Sequence, residues 1–215
     1  MGQKVNPISF RLGNYLPWKS RWFSEGKDYK NYLLEDIKIR RFLFDKLKMA
    51  GIVEVEIERL PKTMNIIITV SRPGVVIGRG GSGLEELKKQ ILDLIAKERN
   101  IKDLKIDFKI NETKDPELSA YLVASRIASD LERRMPHRRV VIKAMERVMQ
   151  AGALGVKVIL SGRIEGADIS RVEKYHLGSV PTQTLRENID YAQVPALPKK
   201  GYVGVKVYIH KKKER

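Results

Sequence analysis

The sequence predicts an α+β chain made of two successive mixed units with a basic segment at each end. Three observations carry this reading. Helical and alternating apolar patterns follow one another irregularly, not as a regular strand–helix repeat. A polar stretch at 111–116, ending in Pro116, separates two such series. Positive charge gathers at the ends: residues 1–30 hold six basic and two acidic groups, and residues 199–215 hold seven and one. The expected division is a basic arm over 1–30, a first unit over 31–110, a second over 111–210 and a basic tail over 211–215. The second unit is expected to pack two helices on a mostly antiparallel sheet.

The first unit opens with Leu34, Ile37, Phe44 and Leu47 at helical spacing, stopped at Gly51. Val53, Val55 and Ile57 then alternate with Glu54, Glu56 and Glu58, the mark of a half-buried strand. Leu60-Pro61-Lys62-Thr63 reads as a turn, and the β-branched run Asn65 to Val70 as a second strand. A glycine-rich loop follows. Leu84, Leu87, Ile91 and Leu94 share one helix face, and Leu104, Ile106, Phe108 and Ile110 alternate as a closing strand.

In the second unit, Asp115 is placed to cap a helix with Pro116 in its first turn. Tyr121, Ala124, Ala128, Leu131 and Met135 fall on one face, and Pro136 ends that helix. A second helix runs from about Arg138, with Val141, Met145 and Val148 inward, to Gly152 and Gly155. Val156, Val158 and Leu160 alternate as a strand, as do Val203, Val205 and Val207. Residues 175–198 read as one or two further strands with turns.

Composition narrows the function. The chain has 215 residues, 42 Lys+Arg against 26 Asp+Glu, and a formal net charge of +16. That excess favours a polyanionic partner, nucleic acid before membrane. No cysteine is present, which excludes disulfides, thiol catalysis and Cys-based zinc sites. His137, His176 and His210 lack metal-ligand spacing, and no Gly-x-Ser-x-Gly elbow occurs. No metal, cofactor, small-molecule substrate or enzymatic activity is therefore expected. No apolar run approaches the length of a bilayer span, so no membrane partner is expected either.

Residues 75–83 read Val-Val-Ile-Gly-Arg-Gly-Gly-Ser-Gly directly before an amphipathic helix. A Walker A loop would need Gly-x4-Gly-Lys-Ser/Thr, which is absent. Gly78, Gly80 and Gly83 match a dinucleotide fingerprint, but no continuing βαβ series follows to support it. Ile77-Gly78-Arg79-Gly80-Gly81 matches the Ile-Gly-x-x-Gly signature of a KH domain, whose loop joins two helices and grips a nucleic-acid backbone. With an extra helix and strand ahead of the core, the order resembles a type II KH domain.

A second basic cluster comprises Arg133, Arg134, Arg138, Arg139, Lys143 and Arg147, opposed within 133–147 only by Glu146. Arg139, Lys143 and Arg147 recur every four residues and so form one helical stripe. Gly162-Arg163-Ile164-Glu165-Gly166-Ala167 is a turn that could present Arg163. Trp18, Trp22, Phe23 and Tyr29 interleave with Lys19, Arg21 and Lys27, either to stack on bases or to pin the arm.

Taken in order, several segments resemble the bacterial family of small-subunit ribosomal protein three. They are Met1-Gly2-Gln3-Lys4-Val5-Asn6-Pro7 with Arg11-Leu12-Gly13, Arg72-Pro73-Gly74 running into Ile77–Gly81, and Leu131-Glu132-Arg133-Arg134. Ser161 to Ala167 and Tyr202-Val203-Gly204-Val205-Lys206-Val207 complete the set. The resemblance implies a cytoplasmic, ribosomal, non-enzymatic protein. It implies binding to small-subunit rRNA in the lower head, with the tenth and fourteenth small-subunit proteins as neighbours. It also implies contact with mRNA where the message enters. The family's basic helix carries an Arg-Arg pair and a further basic residue three positions on. Here Arg138 and Arg139 match, Ile142 takes the third place, and Lys143 follows. The candidate RNA contacts are Lys4, Arg11, Gly78, Arg79, Gly80, Gly81, Lys88, Arg133, Arg134, Arg138, Arg139, Lys143, Arg147 and Arg163. The alternative is a free-standing KH-type RNA regulator.

Overall fold

The computed structural model describes residues 4–60, 63–96 and 105–212. Met1, Gly2, Gln3, Pro61, Lys62 and Leu104, named above, lie outside them, as do residues 213–215 of the expected basic tail. The chain forms two compact units, one of residues 18–114 and one of residues 4–17 with those from 115 onward. The stretch expected as a basic arm is thus divided between the two units.

In the first unit, α1 (Gly26–Lys46) precedes strands β2 (Ile52–Arg59) and β3 (Thr63–Val70). A short helix α2 (Pro73–Ile77), a longer α3 (Ser82–Ala96) and strand β4 (Lys105–Glu112) follow. A two-residue strand β1 (Ser20–Arg21) joins the edge of the sheet. The order is β1-β2-β3-β4, antiparallel only between β2 and β3. The strands bury alternate residues, among them Val55, Ile57, Met64, Ile66 and Ile68. Against them pack Ile39 and Leu43 of α1, Leu47 just after it, and Leu87, Ile91 and Ile95 of α3.

The inward face of α1 differs from the one its apolar spacing suggests. Leu34 is 42% exposed and Ile37 38%, while Glu35 and Asp36 are buried. Arg59 of β2 explains the rotation: its Nη1 donates to Glu35 Oε2 at 2.6 Å and its Nε to Asp36 Oδ1 at 2.9 Å. Ser20 Oγ and Trp22 Nε1 also donate to Asp36, at 2.9 and 2.8 Å. Buried charge is tolerated when it is paired and hydrogen-bonded. Trp22 further packs on the rings of Tyr29 and Tyr32. It therefore pins the incoming chain onto the unit, whereas Trp18 and Phe23 remain exposed.

In the second unit, α4 (Ala120–Glu132) and α5 (His137–Gln150) precede β5 (Gly155–Gly162), β6 (Arg171–Gly178), β7 (Ile189–Ala196) and β8 (Val203–His210). The sheet is wholly antiparallel, in the order β6-β5-β8-β7. Both helices cover one face, with Val123, Ala124, Ile127, Val141, Met145 and Val148 over Val156, Val158, Leu160, Val205 and Val207. The stretch 175–198 resolves into β6, which begins earlier at Arg171, and β7. Pro195 is tolerated in β7 because that strand lies at the sheet edge, where no partner needs its missing N–H.

Asp115 makes no side-chain cap, and Pro116 opens only a 3-10 turn, Pro116–Leu118. The helix starts at Ala120, whose N–H donates to Asp190 Oδ2 of β7 at 3.1 Å. A tertiary partner supplies the acceptor that sequence reasoning sought locally.

The segment 4–17 is held by Arg11, only 1% exposed. Its Nη1 donates to the Pro7 carbonyl at 2.8 Å, its Nε to Glu187 at 2.9 Å and its Nη2 to Thr184 at 2.8 Å and Thr182 at 3.2 Å. Three of these carbonyls lie between β6 and β7. Arg11 is thus a clasp within the unit, and its guanidinium is not presented to a ligand.

Candidate nucleic-acid interface

The glycine loop of the first unit lies between α2 and α3. Gly78, Gly80 and Gly81 all take positive φ, at 71°, 62° and 84°. Side chains seldom adopt this backbone, and glycine does so without a Cβ penalty. Cβ atoms built on Gly80 or Gly81 would meet nothing within 4 Å, so the backbone there is open to close approach. Val75 at 53% exposure and Ile77 at 39% supply apolar surface beside it, while Val76 is buried beneath. Gly83 has another task. A Cβ there would sit 2.7 Å from the Val76 carbonyl oxygen, so this glycine lets α3 cross close to α2. The apparent dinucleotide spacing is thereby explained as helix packing. Lys88 lies half-buried on α3. The Arg79 side chain lies outside what is described.

The basic cluster of the second unit is organised by α5 and the turn before it. His137, Val140, Val141, Ala144, Met145 and Val148 are buried. That burial fixes the rotation of the helix and leaves Arg139, Lys143 and Arg147 in one exposed row, with Arg138 and Ile142 beside it. Among the described residues, no carboxylate pairs with that row. Arg133 and Arg134 are also exposed in the α4–α5 turn. Arg134 sits at φ 60°, a conformation that costs a non-glycine residue about 1 kcal/mol or more. A cleft of about 480 Å³ opens beside the turn, lined by Leu131, Met135, Pro136 and Ile164 and flanked by Arg134, Lys199 and Lys200.

The start of α5 is held by a carboxylate clamp. His137 Nδ1 lies 2.6 Å from Glu165 Oε1 and its Nε2 lies 2.8 Å from Glu173 Oε2. The bond with His137 holds the Glu165 carboxyl below the usual carboxylate range. Glu173 is held low by the Tyr175 hydroxyl first, then by Arg171 and His137. Burial, then Glu173, push the Tyr175 phenol up, and Arg138 works against both. Arg138 therefore lies within electrostatic reach of Tyr175.

Residues 38–118 match the KH domain family, and residues 127–209 match the C-terminal domain of ribosomal protein S3. The chain is 48% identical over 211 residues to the small ribosomal subunit protein uS3 of Caldicellulosiruptor saccharolyticus, covering 98% of this chain and 92% of that one. It is also 48% identical to the uS3 of Persephonella marina, covering 98% and 90%, and 42% identical to that of Clostridium acetobutylicum, covering 98% and 92%. The chain belongs to the uS3 family.

Membership accounts for the order of the units in this uS3-family chain, a KH domain followed by the S3 C-terminal domain. It also makes the chain a structural, non-enzymatic protein. Among the described residues, no cluster of three metal-ligating side chains occurs, and no helix is long and apolar enough to cross a membrane.

The remaining candidates separate clearly. Arg163 turns back on its own loop: its Nε donates to the Ala167 carbonyl at 2.8 Å and its Nη2 pairs with Asp168 at 3.0 Å. Lys4 is exposed in the segment that Arg11 anchors. Gly78, Gly80 and Gly81 lie together in the first unit, and Arg133, Arg134, Arg139, Lys143 and Arg147 lie together in the second. Sequence reasoning missed the clamp, because His137, Glu165 and Glu173 come from three separate elements.

Proposed function

We propose that this chain is a structural constituent of the small ribosomal subunit that binds its rRNA and meets mRNA where the message enters. The observation that carries this reading is the row Arg139, Lys143 and Arg147. One face of α5 is buried to the hilt, and the other offers three evenly spaced cations without carboxylate partners among the described residues. Such a row suits a phosphate backbone, since the rigid helix fixes the spacing at which the three cations emerge. Arg133 and Arg134 extend it. Ile142 occupies the place where the family's third basic residue would stand, and Lys143 supplies that charge one position later.

The open glycine backbone at Gly80 and Gly81 is the second contact. It takes a sugar–phosphate backbone against Val75 and Ile77, with Arg79 and Lys88 adding charge. Lys4 contributes from the N-terminal segment. The implied neighbours are the tenth and fourteenth small-subunit proteins in the lower head, in the cytoplasm.

Sucrose-gradient fractionation of cells carrying an epitope-tagged chain tests the reading. The tag should co-sediment with small subunits. A tag found only at the top of the gradient would favour a free-standing KH-type regulator and sink the ribosomal one.

A further inference from the structure

We propose that the outward face of the second unit's sheet is a binding platform for unpaired RNA, with Tyr191 and Tyr208 stacking bases and Lys157, Lys174 and Lys206 holding phosphates. The helices cover one face of this sheet, so the residues that alternate with the core point the other way. Strand register assembles them. Lys157 of β5 stands opposite His176 of β6 and Tyr208 of β8, and Tyr208 stands opposite Tyr191 of β7. The next row is Lys174, Ile159, Lys206 and Gln193. Beyond it lie Val172, Ser161, Gly204 and Pro195.

Two aromatic rings therefore lie side by side on neighbouring strands, with centroids 4.7 Å apart, and Lys157 Nζ stands 6.0 Å from the Tyr208 ring. No Asp or Glu occupies any position in these three rows. The carboxylates of β6 and β7, Glu173 and Asp190, point to the helix side, towards His137 and Ala120. The sheet of the first unit is a useful contrast. Its β2 carries Glu54, Glu56 and Glu58, which meet Lys19 and Arg21 at 3.1–3.2 Å. That face neutralises itself, and the face in the second unit does not.

The environment of Lys157 agrees with a cationic cluster lacking counter-ions. Burial, then Lys4 and Lys174, push its ammonium below the usual lysine range. Burial raises the Tyr191 and Tyr208 phenols, which keeps them neutral beside phosphate. RNA is favoured over a protein neighbour because the centres of protein interfaces are depleted in lysine, whereas aromatic rings flanked by lysines are what a single strand requires. The site rests on the RNA-binding reading above but uses different residues, so the two can fail separately.

The test uses the full chain and a fluorescein-labelled, unstructured uridine decamer, with anisotropy followed across a potassium chloride series. Y191A/Y208A should weaken binding by about fivefold to a hundredfold, and Y191F/Y208F should keep wild-type affinity. K157A/K174A/K206A, all surface changes, should lower the salt slope by about 2. Wild-type affinity and slope in both the tyrosine-to-alanine and the lysine variants would overturn the platform. If R139A/K143A/R147A alone then lost binding, the α5 interface would stand without it. A wild-type chain that ignored the decamer would overturn both. Sheet variants that kept RNA affinity but failed to enter small subunits would assign the face to a protein neighbour and equally overturn the proposal.

Discussion

Gly83 stands so close to Val76 that a Cβ on it would lie 2.7 Å from the Val76 carbonyl oxygen. Backbone rather than a flexible side chain receives the clash, so the helices must part to relieve it. Gly83→Ala is therefore expected to destabilise the KH unit by about 1–3 kcal/mol. It should also weaken RNA binding by moving α2, which carries Val75 and Ile77. Urea unfolding checks the first effect and filter binding the second. An unchanged midpoint would show that α3 need not approach α2 so closely.

Arg79→Asp with Gly80→Asp addresses the loop itself. A Cβ at Gly80 would meet nothing within 4 Å, but Asp there, at φ 62°, is strained by about 1 kcal/mol. Affinity for RNA should fall well beyond what that loss of stability explains. Unchanged affinity in a filter-binding assay would count against the loop as a contact.

Arg11→Ala removes a guanidinium that serves four backbone carbonyls. Buried acceptors left without donors are costly, and a loss of about 3 kcal/mol is expected for the second unit. The salt slope of RNA binding should not change, because Arg11 is spent inside the fold. A stable variant with a shallower slope would return Arg11 to the RNA contacts.

Arg134 holds a left-handed backbone that glycine adopts freely. Arg134→Gly should leave the Tm unchanged or raise it slightly, since relief of strain offsets the flexibility gained in the unfolded chain. RNA affinity should nevertheless fall, with a salt slope shallower by about 0.7. A lower Tm with unaltered slope would mark Arg134 as structural.

The clamp on His137 predicts an acid limb. Glu165 and Glu173 both titrate below the usual carboxylate range in the folded chain. A depressed carboxyl contributes stability that is present above its unfolded value, about 4.3, and is lost as pH falls through the lower folded value. Tm should therefore drop below about pH 4.5, and Glu173→Gln should flatten that drop. An identical acid limb in the variant would remove the clamp from the explanation. Circular dichroism melts at a series of pH values make the comparison.

Much of the site was legible in the sequence. Ile77–Gly81 is a local signature, because positive φ and close approach impose glycine at particular positions. The row Arg139, Lys143 and Arg147 is also local, since helical spacing alone aligns residues four apart. The rotation of α1 was not legible. Glu35 and Asp36 look like surface residues until Arg59, more than twenty positions away, meets them in the core. The internal partners of Arg11 and Arg163 were not legible for the same reason: an arginine reads as basic surface, and only contacts show which backbone carbonyls it meets.

By itself, the sequence determined the α+β class, the order of the two units, the glycine loop, the basic helix and the family, all of which depend on periodicity, charge and short motifs. Only the tertiary structure decided which cations are free and which are bound within the fold. It also brought Lys157, Lys174, Lys206, Tyr191 and Tyr208 onto one face. Their alternation along each strand is visible in one dimension, but strand order and register place them side by side, and those are set by long-range pairing.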